Sequence, residues 1–191
     1  MQEEIHYHYI LHKPYGYLSQ FVNNQSKRKN KKLLGELYHF GDGTMAVGRL
    51  DETSEGLLLL TTDGKMSHHI TSHKVEKEYY VEVDGLITKD AITELEKGVI
   101  ISIYGKPYNT KPCKVAKIES LKKYPIEERK IRDERHGPTS WISITLTEGK
   151  FRQVRKMTAV VGFPTLRLVR VRIGNLKLNL EVGKVNEVTS F

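Results

Sequence analysis

The stretch from Ala46 to Gly64, AVGRLDETSEGLLLLTTDG, constrains this chain more than any other. Ala46 and Val47 lead into a polar turn holding Arg49, Asp51, Glu52, Thr53, Ser54, Glu55 and Gly56. Leu57 to Leu60 lead out of it. Apolar runs of this length bounded by glycine mark buried strands, so the turn between them is held from both sides. Two readings are open. The turn is the solvated acidic tip of a hairpin, its carboxylates satisfying nearby backbone N–H groups, or it presents a catalytic carboxylate on a rigid support.

The chain has 191 residues, enough for one domain or two small lobes sharing a core. A chain of this size buries about 70% of the surface its unfolded form exposes and needs no disulfide or metal staple. Cys113 is the single cysteine, which points to a reducing compartment. The start, MQEEIHYHYILHKPYG, has no basic segment followed by a long apolar core, and the longest purely apolar run is Leu57 to Leu60. A soluble, cytoplasmic protein is therefore expected.

The formal net charge is +8, and its placement matters more than its total. Lys150, Arg152, Arg155, Lys156, Arg167, Arg170 and Arg172 fall in one stretch with no acidic residue, and KRKNKK, Lys27 to Lys32, forms a second cluster. A polyanion partner, nucleic acid in particular, is favoured over two merely solvated faces.

Along the chain, His6 to His12 alternates as a strand that ends at Lys13-Pro14-Tyr15-Gly16. Tyr17 to Phe21 reads as a further strand, Val22 to Lys32 as a polar, mobile loop, and Leu33 to Leu37 as a short helical turn. Lys65 to Ile70 predicts a short helix. His68, His69 and His73 lie near it, but no fourth ligand stands at a sensible spacing, so zinc is not expected. Lys77 to Val83 alternates with Tyr79, Val81 and Val83 on one face. Thr88 to Gly98 predicts a helix, with Thr88 as its N-cap and an apolar stripe of Ala91, Ile92 and Leu95. Strands are expected at Val99 to Ile103, Lys111 to Ile118 and Trp141 to Thr147. Leu121 to Pro138 reads as a long surface insertion able to contact RNA.

The run from Glu148 to Gly174, EGKFRQVRKMTAVVGFPTLRLVRVRIG, predicts a helix opening at Glu148-Gly149. Phe151, Val154, Met157 and Val161 share its apolar face, and Arg152, Arg155 and Lys156 share another. Cations in the first turns oppose the helix dipole, a broken local rule that marks a candidate anion site. In the strand that follows, the apolar phase slips. Leu166 and Leu168 share a face with Arg170 and Arg172, whereas Val169, Val171 and Ile173 share one with Arg167, which predicts a bulge or an exposed strand end.

Four of these motifs, in this order, resemble those of the pseudouridine synthases that modify ribosomal RNA. They are Lys13-Pro14-Tyr15-Gly16, the Arg49-Leu50-Asp51 turn with its leucine strand, Lys77-Glu78-Tyr79, and Glu148 to Met157 with the following Gly-Phe-Pro strand. Ser54-Glu55-Gly56 departs from the commonest family turn. With Glu128-Arg129-Lys130 and Pro138-Thr139-Ser140-Trp141, it resembles the E branch of the family, which acts on the large ribosomal subunit.

The resemblance implies an α+β fold, with a mixed, largely antiparallel sheet, peripheral helices and two lobes around a basic catalytic cleft. The boundary is expected near Gly85 to Lys89. Many relatives begin with an S4-type RNA-binding module, and none is expected ahead of the first strand here. The reaction implied is isomerisation of a uridine to pseudouridine in 23S ribosomal RNA. The uracil leaves its C1′–N1 bond, turns, and rejoins the ribose through C5, with no cofactor and no metal. By motif match, Asp51 is the nucleophile, Tyr79 lies against the target base and Arg155 pairs with Asp51. Phosphate contacts are expected from Lys13, Arg49, Lys150, Arg152, Lys156, Arg167 and Arg170, with the protein acting as a monomer away from any membrane. The rivals are a catalytically inert RNA-binding assembly factor, a synthase acting on another RNA, and a glycosidase using Asp51 and Glu55. The last is disfavoured because carboxylates four apart in one turn rarely face each other across a sugar.

Overall fold

The leucine run forms a strand with no solvent face. In the computed structural model, which describes residues 5–22, 30–72, 75–131 and 133–191, every residue of β3 (Glu55–Thr61) is buried. A strand covered on both faces reads as a continuous apolar run instead of an alternating one. Three strands pair with it. β1 (His8–Lys13) runs antiparallel along its whole length, β2 (Met45–Val47) pairs antiparallel at its far end, and β9 (Thr165–Ile173) meets it parallel through Glu55↔Val169 and Gly56↔Arg170.

The remaining strands complete one sheet. β4 (Lys77–Asp84) pairs β9, β8 (Thr139–Leu146) pairs β4, and β7 (Lys114–Ile118) pairs β8, all antiparallel. At the other edge β11 (Val185–Val188) pairs β1, and the short β10 (Leu176–Lys177) pairs β9. The order is β11-β1-β3-β9-β4-β8-β7. A separate hairpin, β5 (Ile100–Ile103) and β6 (Lys106–Asn109), stands off the sheet. The expected α+β class and mixed, largely antiparallel sheet describe this architecture.

Among the described residues three α-helices flank the sheet. In α1 (Gly64–Thr71) the Asp63 carboxylate caps the backbone N–H groups of Lys65 and Met66 at 2.8 and 3.1 Å. In α2 (Lys89–Lys97) the Thr88 hydroxyl caps Ala91, and Ala91 and Leu95 are buried. α3 (Gln153–Val160) packs against β5 and β9.

Several expectations needed correction. Helix α3 begins at Gln153, not at Glu148-Gly149, because residues 148–152 form a loop tied down by their own side chains. Phe151 therefore leaves the apolar face and is about half exposed. Tyr17 to Phe21 is not a strand; Tyr17 makes a single parallel bridge to Lys32. The insertion at 121–138 is not wholly a surface loop. Tyr124 is buried edge-on against Tyr80, with ring centroids 5.2 Å apart, and Leu121 and Ile126 pack on the same cluster as Val169 and Val171. Of the loop at Val22 to Lys32, residues 23–29 lie outside the described residues, as does His73.

The phase slip in β9 is two register shifts against β4, between Glu78 and Tyr79 and between Glu82 and Val83. Each skipped residue turns the strand's side chains over. Gly85 to Lys89, the expected lobe boundary, lies in the β4–α2 connection, and Val83 and Ala91 on either side of it belong to one core cluster.

Candidate active site

Asp51 sits in the loop that carries the chain from β2 into β3. The loop closes on itself through the Ser54 N–H, which donates to the Asp51 carbonyl at 3.0 Å. It is also fastened to the end of β1, where the Gly16 N–H donates to the Glu52 carbonyl at 2.8 Å. Lys13 lies underneath and is fully buried. Its Nζ donates to the Ser54 carbonyl at 2.7 Å and to the Pro14 carbonyl at 2.9 Å. Burial lowers the Lys13 ammonium to about 8, opposed by the nearby carboxylates of Glu55, Asp51 and Glu52. Lys13 therefore holds the loop and does not reach solvent, contrary to its expected role as a phosphate contact.

The start of α3 points at this loop. Glu148 is buried and accepts hydrogen bonds from the Tyr108 hydroxyl (2.5 Å), the Lys111 N–H (2.8 Å) and the Gln153 amide (2.5 Å). Burial alone would raise its carboxyl, but these hydrogen bonds outweigh that and hold it below the usual carboxylate range. Gln153 also accepts from the Lys150 N–H at 2.9 Å. The five-residue loop is thereby pinned at both ends, and Arg152 takes a left-handed backbone (φ 52°) at the helix N-cap. This aims the guanidinium of Arg152 at Asp51, with Nη1 3.2 Å from Oδ2.

Arg155 is more deeply set. Its Nε stands 3.9 Å from the same carboxylate oxygen, and its Nη2 donates to the Thr53 carbonyl at 2.9 Å and to the Ser54 hydroxyl at 3.3 Å. The expected Arg155–Asp51 pair is thus present at ion-pair distance, while the direct hydrogen bond comes from Arg152. Tyr79 of β4 lines the same cleft as Arg49, Leu50, Asp51, Ser54, Lys150 and Arg152. Arg49 and Arg152 are exposed there, Lys150 is half-buried with its ammonium 4.9 Å from the Tyr108 ring centre, and the Lys156 ammonium donates to the Ser102 carbonyl at 2.7 Å.

Two expected RNA contacts are core residues instead. Arg167 is buried and grips Glu55 with two hydrogen bonds, Nε at 3.1 Å and Nη2 at 2.9 Å, and its Nη1 donates to the Glu127 carbonyl at 2.8 Å. Arg170 is buried too, and its Nε donates to the Leu57 carbonyl at 2.7 Å. Each is held by a partner on β3, Arg167 by the Glu55 carboxylate and Arg170 by the Leu57 carbonyl. Arg172 pairs with Glu76 and Glu78 at 3.0 and 2.9 Å. Glu55 is accordingly occupied by Arg167 and, at 2.9 Å, by Arg129, so it is not an acid partner for Asp51. Arg129 comes from the 121–138 insertion and also lies 4.1 Å from the Tyr15 ring centre. Sequence reasoning had not singled out Arg129, Glu148 or Gln153 as separate positions. The available signals were Glu148 and Gln153 within the motif and an arginine in an otherwise mixed loop. No group of three or more His, Cys, Asp or Glu side chains able to hold a metal occurs among the described residues.

The cleft thus brings together a carboxylate on a fixed turn, arginine guanidiniums and a tyrosine. The comparisons agree on the class. The profile described as RNA pseudouridylate synthase matches residues 6–160, and the chain belongs to that family of RNA-modifying isomerases. Two proteins called ribosomal large subunit pseudouridine synthase E are similar to it. The one from Xanthomonas campestris pv. campestris is 41% identical over 180 residues (92% of this chain, 91% of the relative). That from Xanthomonas axonopodis pv. citri is 39% identical over 172 residues (89% and 87%). A solved structure described as a pseudouridylate synthase superposes with a TM-score of 0.76 at 26% identity, covering 98% of this chain and 72% of that one. Among the described residues no helix is long and apolar enough to cross a membrane.

Proposed function

We propose that this enzyme isomerises a uridine of large-subunit (23S) ribosomal RNA, with Asp51 as the nucleophile and Tyr79 against the target base. The observation that carries the reading is the convergence on Asp51 of Arg152 at 3.2 Å and Arg155 at 3.9 Å, in a cleft also lined by Tyr79. Two cations balance the charge of the carboxylate and fix its orientation, as a nucleophile in a cleft requires. The names of the relatives support the large-subunit substrate, and an RNA of the ribosome would be met in the cytoplasm. On this reading the lobes meet where β3 joins β9, so β4 belongs with the second lobe and the chain passes between lobes before it, ahead of the expected Gly85 to Lys89. Arg49, Lys150 and Arg152, which line the cleft, and Lys156 beside them on α3 remain the phosphate contacts.

The test maps pseudouridine in 23S RNA from cells with and without the gene, and repeats the reaction in vitro with Asp51→Asn. One 23S position should depend on the protein, and Asp51→Asn should bind RNA normally yet form no pseudouridine. An Asp51→Asn enzyme turning over at the parent rate would sink the nucleophile assignment. Unchanged 23S RNA alongside a modified position in another RNA would move the substrate.

A further inference from the structure

Beside the cleft the protein displays two aromatic rings that folding does not require. Tyr104 is 82% exposed and Phe151 is 51% exposed. They stack on each other, ring centres 5.6 Å apart and planes 16° from parallel. The backbone under Tyr104 adds a second observation. Ile103 pairs with Lys106, so Tyr104 and Gly105 are the two central residues of the β5–β6 turn, and both have positive φ, 50° and 80°. Such turns favour asparagine or aspartate followed by glycine, and an aromatic residue there carries strain. Strain at an exposed ring that contributes little burial points to use outside the fold.

The surroundings specify the partner. The Lys156 ammonium lies 5.1 Å from the Phe151 ring centre and is fixed by its bond to the Ser102 carbonyl. The hairpin and residues 149–157 carry Lys106, Lys150, Arg152, Arg155 and Lys156 and no acidic residue. Phe151 lies in the chain between Lys150 and Arg152, both of which line the cleft, and Arg152 touches Asp51. Flat exposed rings rimmed by cations are what an unpaired base and its phosphate require: stacking is tolerant of base identity, and the cations meet the backbone.

We propose that Tyr104 and Phe151 form a platform on which an unpaired base of the RNA, next to the uridine in the cleft, stacks on the open face of Tyr104. This rests on the preceding reading for the identity of the substrate, but the platform itself requires only single-stranded RNA. The test uses Tyr104→Asn, Tyr104→Phe and Phe151→Ala in the full chain. Pseudouridine formation is measured on a 23S transcript, and binding on a twelve-residue oligouridylate by fluorescence polarisation.

Tyr104→Asn suits the turn, so its melting temperature should match or exceed the parent's, which removes misfolding as an explanation. The same variant should bind the oligouridylate about 5- to 150-fold more weakly, the range of one lost base stack. On the transcript the loss should appear in KM and not in kcat. Tyr104→Phe should bind like the parent, and Phe151→Ala should lose part of the affinity. Parent-like affinity and KM in both Tyr104→Asn and Phe151→Ala would overturn the platform, and would leave the rings as a protein-docking patch. If the parent forms no pseudouridine on the transcript, the preceding reading of the substrate fails. The oligouridylate measurement still decides the platform.

Discussion

Replacing Arg167 with methionine separates an arginine of the fold from an arginine of the RNA interface. The guanidinium is buried, with both Glu55 oxygens and the Glu127 carbonyl between 2.8 and 3.1 Å away. Removing one partner from a buried ion pair costs about 3–5 kcal/mol, because the remaining charge has no water to turn to. Here Arg129 stays on Glu55 at 2.9 Å, so the carboxylate is not left alone and the low end, about 3 kcal/mol, applies. In a chain of this length about 2–4 °C is lost per kcal/mol, so the melting temperature should fall by about 6–12 °C. Urea unfolding followed by circular dichroism gives the stability. RNA affinity measured across a salt series gives the number of phosphates neutralised. Arg167→Met should leave the log–log salt slope unchanged. Lys150→Met, at the cleft mouth, should flatten it by about 0.7. An Arg167→Met protein as stable as the parent but with a flatter slope would refute the placement of Arg167 in the core.

Lys13 has a folded pKa of about 8, below its ordinary value of 10.5, so the unfolded chain holds more protons between those limits and stability should rise with pH across that window. The gain over Lys13→Met, in which nothing titrates at this site, should approach ~3 kcal/mol by pH 10.5 in paired urea titrations. A flat difference would show that Lys13 is solvated. Tyr79→Phe should keep the ring and most of the substrate binding, whereas Tyr79→Leu should lose about 1–3 kcal/mol of it. Equal activity in all three proteins would make Tyr79 a packing residue. Arg155→Lys should retain charge but not the fork that spans Asp51, Thr53 and Ser54, lowering kcat about 10- to 100-fold, with Arg155→Met lower still. Parent-like turnover in Arg155→Lys would hand the pairing role to Arg152.

The leucine strand, the Thr88 cap of α2 and the Asp51 turn were legible because each is a local statement. Apolar continuity gives a buried strand, Thr88 offers an oxygen to a free N–H group, and the resemblance located the carboxylate. What could not be read depended on distant residues. The inward turn of Arg167 needs Glu55, which lies 112 positions away in the sequence. The late start of α3 follows from Glu148 accepting from Tyr108 and Lys111 on other elements. Exposure of Phe151 is part of the same shift. A helix begun at Glu148 would have put its ring on the apolar face, whereas the pinned loop turns it toward Tyr104. Tyr124 and Arg129 sit in a stretch whose composition is that of a surface loop, and only the packed structure shows Tyr124 buried against Tyr80 and Arg129 bonded to Glu55.

Gly56 lies where β3 crosses to β9, and a methyl group in place of its hydrogen would stand 2.3 Å from the Arg170 carbonyl oxygen and 2.7 Å from the Arg170 nitrogen. Between those two strands only Glu55 and Gly56 find partners, so the joint is two residue pairs long. Asp51 is carried by the loop entering one side of this joint, and Arg152 and Arg155 by the helix that precedes the other. The gap between carboxylate and guanidinium is therefore gauged by how closely two backbones lie at residue 56. Any side chain there would act as a shim, widening the spacing between the charges without touching either of them.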